Sequence, residues 1–246
     1  LRGITRLVDG AALAALRTRL GALVEPHFAR FGWDPSPEDG PRERQLRGLL
    51  LDALGTVAHD RATIERADEY RDRPNTDADV VAACITVTAC HGGTDLFDEY
   101  ATRFRDAETP QDQLRYLYAL TMFPDADLVL RATTMALTDA VRTQNAPFVL
   151  QRALVHREHG PLVWEYISDN WEAVEERFPR MLIARMFEGV TWLVDDASVQ
   201  SVAELVARHP VPEGAQIIAQ HLERQRTNHA LVARESDALA AHLTAT

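Results

Sequence analysis

The stretch Arg180-Met181-Leu182-Ile183-Ala184-Arg185-Met186-Phe187-Glu188-Gly189-Val190-Thr191-Trp192-Leu193-Val194 decides the fold class. Ile183, Met186, Phe187, Val190 and Val194 follow the i, i+3, i+4, i+7 rule, which lays one wide apolar stripe along a helix. A strand would alternate apolar and polar residues, and that alternation is nearly absent from the chain. The segment after Thr109 reads the same way. Thr109 is suited to cap a helix, Pro110 fits its first position, and Leu114, Leu117 and Leu120 line one side. Extended along the sequence, this reading predicts an all-α protein.

Helix punctuation recurs at a fixed interval. Starts fall near Pro41, Thr76, Thr109, Asn145, Pro179 and Pro212, separated by 33 to 36 residues. Most intervals also hold a break, at Gly92-Gly93, Phe123-Pro124-Asp125, Gly160-Pro161 and Asp195 to Ser198. Each unit therefore reads as helix, tight turn, helix. Such a hairpin cannot bury its apolar face alone, so neighbours stack. The expectation is an α-solenoid of antiparallel helix pairs, like HEAT or armadillo arrays, filling residues 1–246 as a single helical-repeat domain; the competing expectation is an irregular bundle. The ends are atypical. Asp9 to Phe31 reads as one long helix interrupted by Pro26, and a last helix from about Gly214 to Leu243 carries Ile218, Leu222, Gln225, His229, Val232, Leu239 and Leu243 on one mixed face. The Pro- and Asp-rich stretch from Asp34 to Pro41 reads as a loop.

Composition excludes several functions. Acids outnumber bases 37 to 26, so a nucleic-acid backbone is repelled overall, and no nucleic-acid partner is expected. All of the bases are arginine, scattered rather than clustered. No run approaches the ~18 apolar residues of a membrane span, so no membrane partner is expected either. Cys84 and Cys90 stand about 240° apart on a helix and are expected to be buried thiols of a reduced, cytoplasmic protein. The chain opens at Leu1 with no signal-peptide pattern, which suggests a domain excised from a longer protein.

Catalytic patterns are missing from the string. The nearest approach to His-Glu-x-x-His is His156-Arg157-Glu158-His159, whose histidines are expected to serve a helix C-terminus rather than a metal. His221 and His229 lie two turns apart, and Asp195-Asp196, read as the end of a helix, lacks the further oxygen ligands of a calcium loop. Trp164, Trp171 and Trp192 sit in helical patterns and read as core fillers. From its residues alone the chain is a soluble helical repeat with an acidic surface. That is a binding or structural module.

Three strings add a resemblance. Phe31-Gly32-Trp33-Asp34-Pro35, followed by Glu38, Leu46-Arg47, Leu50 and Leu54-Gly55, resembles the opening of the C-terminal domain of aminopeptidase N and puromycin-sensitive aminopeptidases. Arg142-Thr143-Gln144-Asn145-Ala146-Pro147 resembles that family's Gln-Asp turn, with Asn145, an equally good cap, in place of Asp. Trp164-Glu165-Tyr166-Ile167-Ser168-Asp169-Asn170-Trp171 resembles its Trp-x-Phe, Asn-Trp helix, with Arg177-Phe178-Pro179 and the helix around Arg185 following. Glu223 and Asn228 fall where its last long helix carries Glu and Asn.

The resemblance implies a helical superhelix beside a catalytic domain of the same polypeptide. That missing domain would hold zinc through His-Glu-x-x-His and a downstream Glu, and would bind the substrate amino terminus with a Gly-x-Met-Glu-Asn loop. None of these occurs here, so the resemblance implies no catalytic residue, metal ligand or cofactor for this chain. It implies an accessory domain of a zinc aminopeptidase that covers the active site and shapes the cavity reached by peptide substrates. Arg185, Glu223 and Asn228 are the substrate-cavity candidates. The alternative is an independent α-solenoid scaffold binding a protein or peptide on its concave face.

Overall fold

The computed structural model describes residues 2–245, and among these the regular structure is helical with no strand. The chain divides into two compact units, one running to Ala119 and taking up the chain again from Glu235, the other Leu120–Arg234.

The first unit holds α1 (Arg2–Thr5), α2 (Gly10–Phe31), α3 (Pro41–Asp52), α4 (Arg61–Tyr70), α5 (Ala78–His91), α6 (Thr94–Asp106) and α7 (Pro110–Ala119). A π-helical turn, Ala53–Ala58, continues α3. The anticipated start at Thr76 lies one residue before the true cap, because the carboxylate of Asp77 accepts from Asp79 N. Thr109 does cap α7, its hydroxyl accepting from Asp112 N at 3.1 Å. Helix α2 is not interrupted at Pro26. Pro26 and Ala22 lie on the exposed side, so the Ala22 carbonyl that loses its helical donor is open to water. One face of α2 supplies Val24 and Phe28 to a core shared with Leu51, Leu54, Tyr70, Val80 and Val87. Its earlier turns, Leu13, Leu16 and Leu20, join Val8, Val57 and Leu243 in a second cluster.

Two devices hold the 32–40 loop. Arg47, 1% exposed, donates Nε to Gly32 O at 3.1 Å and Nη2 to Phe31 O at 3.3 Å, taking orphan carbonyls at the end of α2. It also pairs with Asp39, and that hydrogen bond holds the Asp39 carboxyl below its ordinary range. From the other side Tyr70 donates to Asp34 at 3.1 Å, with the Arg66 and Arg73 guanidinium groups 5.3 and 4.6 Å from its ring centroid.

The second unit holds α8 (Ala126–Ala136), α9 (Ala146–Leu154), α10 (Gly160–Asp169), α11 (Trp171–Arg177), α12 (Arg180–Met186), α13 (Asp196–Arg208) and the greater part of α14 (Ala215–Thr244). The stretch 180–194 is not one helix: α12 stops at Met186 and a 3-10 turn, Gly189–Trp192, follows. Its stripe is still the core, since Ile183, Met186, Phe187 and Val190 are at most 1% exposed. The break occurs where the backbone of Gly189 presses on α9; a Cβ there would lie 2.6 Å from Gln151 O and 2.8 Å from Leu154 Cβ. Asp195 does not end a helix; its carboxylate caps α13 by accepting from Ser198 N at 2.8 Å. Asn145 occupies the cap position of α9 but makes no side-chain cap bond. Trp164 and Trp171 are buried, whereas Trp192 is half-buried. Cys84 is buried and Cys90 half-buried, and both are free thiols raised to about 12 by burial.

Within each unit, several side chains bond to a segment about one interval of the sequence pattern away. His91 meets Gly55 O (36 residues), His156 meets Phe123 O (33), Arg177 donates to Val141 O (36) and Trp164 donates to Ser201 (37). Most of these acceptors are carbonyls at helix ends or turns, where the helical ladder leaves them without an internal donor.

Candidate functional site

The three residues anticipated at a substrate cavity occupy α12 and α14 of the second unit. Arg185 is exposed on the last turn of α12, and among the described residues it makes no ion pair. Glu223 is exposed on α14 and pairs loosely with Arg226 at 3.8 Å. Asn228 is half-buried, and its amide donates to Thr191 O at 2.8 Å.

Asn228 is one of three donors on a single face of α14. Gln225, 1% exposed, donates to Leu193 O at 3.0 Å, and His229 Nδ1 lies 2.7 Å from Val194 O. The break between α12 and α13 leaves these carbonyls without helical partners, and α14 supplies what the ladder cannot. The spacing 225, 228, 229 is the helical i, i+3, i+4 set, so the mixed face read from the sequence is a row of carbonyl-binding side chains.

Arg185 has neighbours that the sequence reading missed. His221 on α14 is held below its ordinary value first by burial and then by the positive charge of Arg224 and Arg185, against the opposing pull of Glu188. Glu188 is itself held by Gln151, whose amide donates to it at 2.8 Å. Arg185, Glu188, Gln151, His221 and Arg224 thus form a polar surface of mixed charge. A partial signal was legible: Glu188 stands three residues after Arg185, and Arg224 three after His221. What brings α9, α12 and α14 to one place was not.

The histidines nearest to a metal motif are committed elsewhere. His156 Nε2 lies 3.1 Å from Phe123 O, and His159 Nε2 lies 2.8 Å from Pro124 O, so both are taken by backbone carbonyls. Among the described residues no three His, Cys, Asp or Glu side chains gather in a group that could hold a metal ion. No helix among them is long and apolar enough to cross a membrane.

Residues 1–227 match the family model of the ERAP1-like C-terminal domain. The chain belongs to that family, the C-terminal domain of aminopeptidase N family members. Curated relatives agree. Aminopeptidase M1-B of Oryza sativa subsp. japonica is 29% identical over 238 residues, covering 92% of this chain and 25% of the relative. Aminopeptidase M1 of Arabidopsis thaliana is 26% identical over 81% of this chain and 24% of its own length. Alanine/arginine aminopeptidase of Saccharomyces cerevisiae is 19% identical over 90% of this chain and 27% of its own length. The chain spans about a quarter of the length of the relatives it matches. Among the described residues of this ERAP1-like domain no group of side chains fits a metal ion, so no step of metal chemistry is assigned to it.

Proposed function

We propose that this chain is the accessory domain of a zinc aminopeptidase, covering the active site and shaping the cavity through which peptides reach it. The observation that carries the proposal is the family match over residues 1–227 in a chain equal to about a quarter of its aminopeptidase relatives. Zinc and the groups that cut the peptide bond belong to the catalytic domain of the same polypeptide, and peptides are the other partner. Residues 1–246 act as one helical-repeat domain in this reading, and the free thiols Cys84 and Cys90 suit a reduced, cytoplasmic enzyme.

Two observations support the cavity role. Several side-chain bonds span about one interval, as in stacked helix pairs each held by its neighbour, and such stacking generates a curved wall. A net charge of −11 gives that wall a field that draws the ammonium end of peptides inward. Arg185, Glu223 and Asn228 lie on the cavity side in this reading, Arg185 facing peptide with an uncommitted guanidinium and Asn228 holding the α12–α13 connection in place.

The test has two arms. The 246-residue chain, incubated with zinc and an alanyl chromogenic substrate, is expected to release no product; hydrolysis would overturn the accessory role. In the full-length enzyme Arg185→Ala is expected to change KM in a way that depends on peptide length. An unchanged KM across lengths removes Arg185 from the cavity.

A further inference from the structure

His156 and His159 stack at 4.8 Å between ring centroids, only 21° from parallel, in the turn that joins α9 to α10. Each reaches one carbonyl of the turn that precedes α8, His156 to Phe123 O at 3.1 Å and His159 to Pro124 O at 2.8 Å. The other nitrogen of His156 is spent within its own turn. Nδ1 faces Glu158 N at 3.3 Å and His159 N at 3.2 Å, so it accepts from both amides. The ring is therefore locked as the neutral Nε2–H tautomer. A proton on Nδ1 would turn two accepted bonds into two donor–donor contacts and set a cation against a stacked imidazole.

We propose that the His156–His159 stack is an acid-sensitive joint: it ties the turn before α8 to the turn between α9 and α10 at neutral pH, and releases it when His156 takes a second proton. The titratable groups acting on His156 are few. His159 opposes the proton and Glu158 favours it. At the facing turn Asp125 is already occupied, its carboxylate capping α8 through Asp127 N at 2.9 Å and Leu128 N at 3.3 Å. Burial is the largest influence, and the ring is pushed down to about 4 from an ordinary 6.5. The direction of linkage follows. A folded-state value below the unfolded one means that the joint's contribution is complete above about 6.5 and is lost as pH falls toward 4. With allowance for partial exposure, closure of the joint weakens on the order of tenfold by pH 5.

The experiment is hydrogen exchange of the 246-residue chain between pH 7.5 and 4.5, corrected for intrinsic exchange rates. Residues 120–128 and 152–160 are expected to lose protection on the order of tenfold by pH 5, while α5 keeps its protection. In His156→Gln the amide still donates to Phe123 O but cannot titrate, and the pH dependence of both segments is expected to vanish. Protection that holds to pH 4.5 in the parent chain, or a pH step that persists in the glutamine variant, overturns the proposal. Should that variant not fold, histidine ring resonances of the parent chain decide. A His156 signal that titrates at the ordinary value refutes the joint, and one that stays neutral until well below it upholds the joint.

Discussion

Alanine at Gly189 tests the packing that divides the 180–194 stretch. The added Cβ would sit 2.6 Å from Gln151 O, 2.8 Å from Leu154 Cβ and 3.1 Å from Leu154 Cδ1, each well inside van der Waals contact. Two of these atoms cannot swing aside, since one is backbone and one is a Cβ fixed to it. Leu154 and Val190 are both fully buried, so neither side of the contact opens to solvent. The connection after α12 and the helix α9 must separate by about 1 Å, and overpacking of that kind costs about 1–3 kcal/mol. The alanine also lowers the entropy of the unfolded chain, which returns about 0.4–1 kcal/mol. The net expectation is a destabilisation of about 1.3 kcal/mol, or about 3–5 °C in Tm for a chain of this size. Urea and thermal unfolding of the parent chain and Gly189→Ala measure it. Gly3→Ala serves as control, because a Cβ on that helical glycine meets nothing within 4 Å and is expected to leave stability unchanged or raise it. If Gly189→Ala unfolds within about 0.5 kcal/mol of the parent, the close approach is not what holds the two segments together, and the reasoning fails.

Further expectations concern the other fastenings. Arg47→Met keeps the volume but leaves Phe31 O and Gly32 O without their donor and Asp39 with the Ser36 amide in place of its ion pair; it is expected to cost about 3 kcal/mol in denaturant unfolding, with residues 32–40 exchanging their amides fastest. Asn228→Ala removes the donor to Thr191 O and is expected to cost about 1 kcal/mol, with increased exchange confined to residues 189–196. Cys84 and Cys90, both raised to about 12 by burial, are expected to resist a maleimide at pH 8 and to react only after unfolding in urea. Fast labelling of either thiol in the native chain would refute that packing.

Local chemistry was legible residue by residue. The helix starts near Pro41, Thr109, Asn145 and Pro179 each agree with the structure to within a residue, because a capping residue or an N-terminal proline acts on its own turn. The His156–His159 pair was read as serving a helix end, and its rings do bind carbonyls, though those of a turn some 33 and 35 residues away. The family resemblance carried by Phe31 to Pro35 and Trp164 to Trp171 was visible because the spacing of those strings survives in a linear text. The break at Met186 was not visible, since the apolar stripe continues unchanged across it. Nor was the continuity of α2 through Pro26, which depends on which side of the helix meets water.

The sequence alone, then, determined that this chain is helical, where most of its helices begin, which stripes turn inward, and which family it resembles. Those properties depend on neighbours within one or two turns. Tertiary structure alone decided that Gly189 must lack a side chain, that Gln225, Asn228 and His229 serve the carbonyls of Leu193, Thr191 and Val194, and that Arg185 shares a surface with His221 and Glu188. Apart from Arg185 and Glu188, each of these joins residues more than thirty positions apart. No local pattern encodes them, because an unpaired carbonyl selects its donor by distance in space.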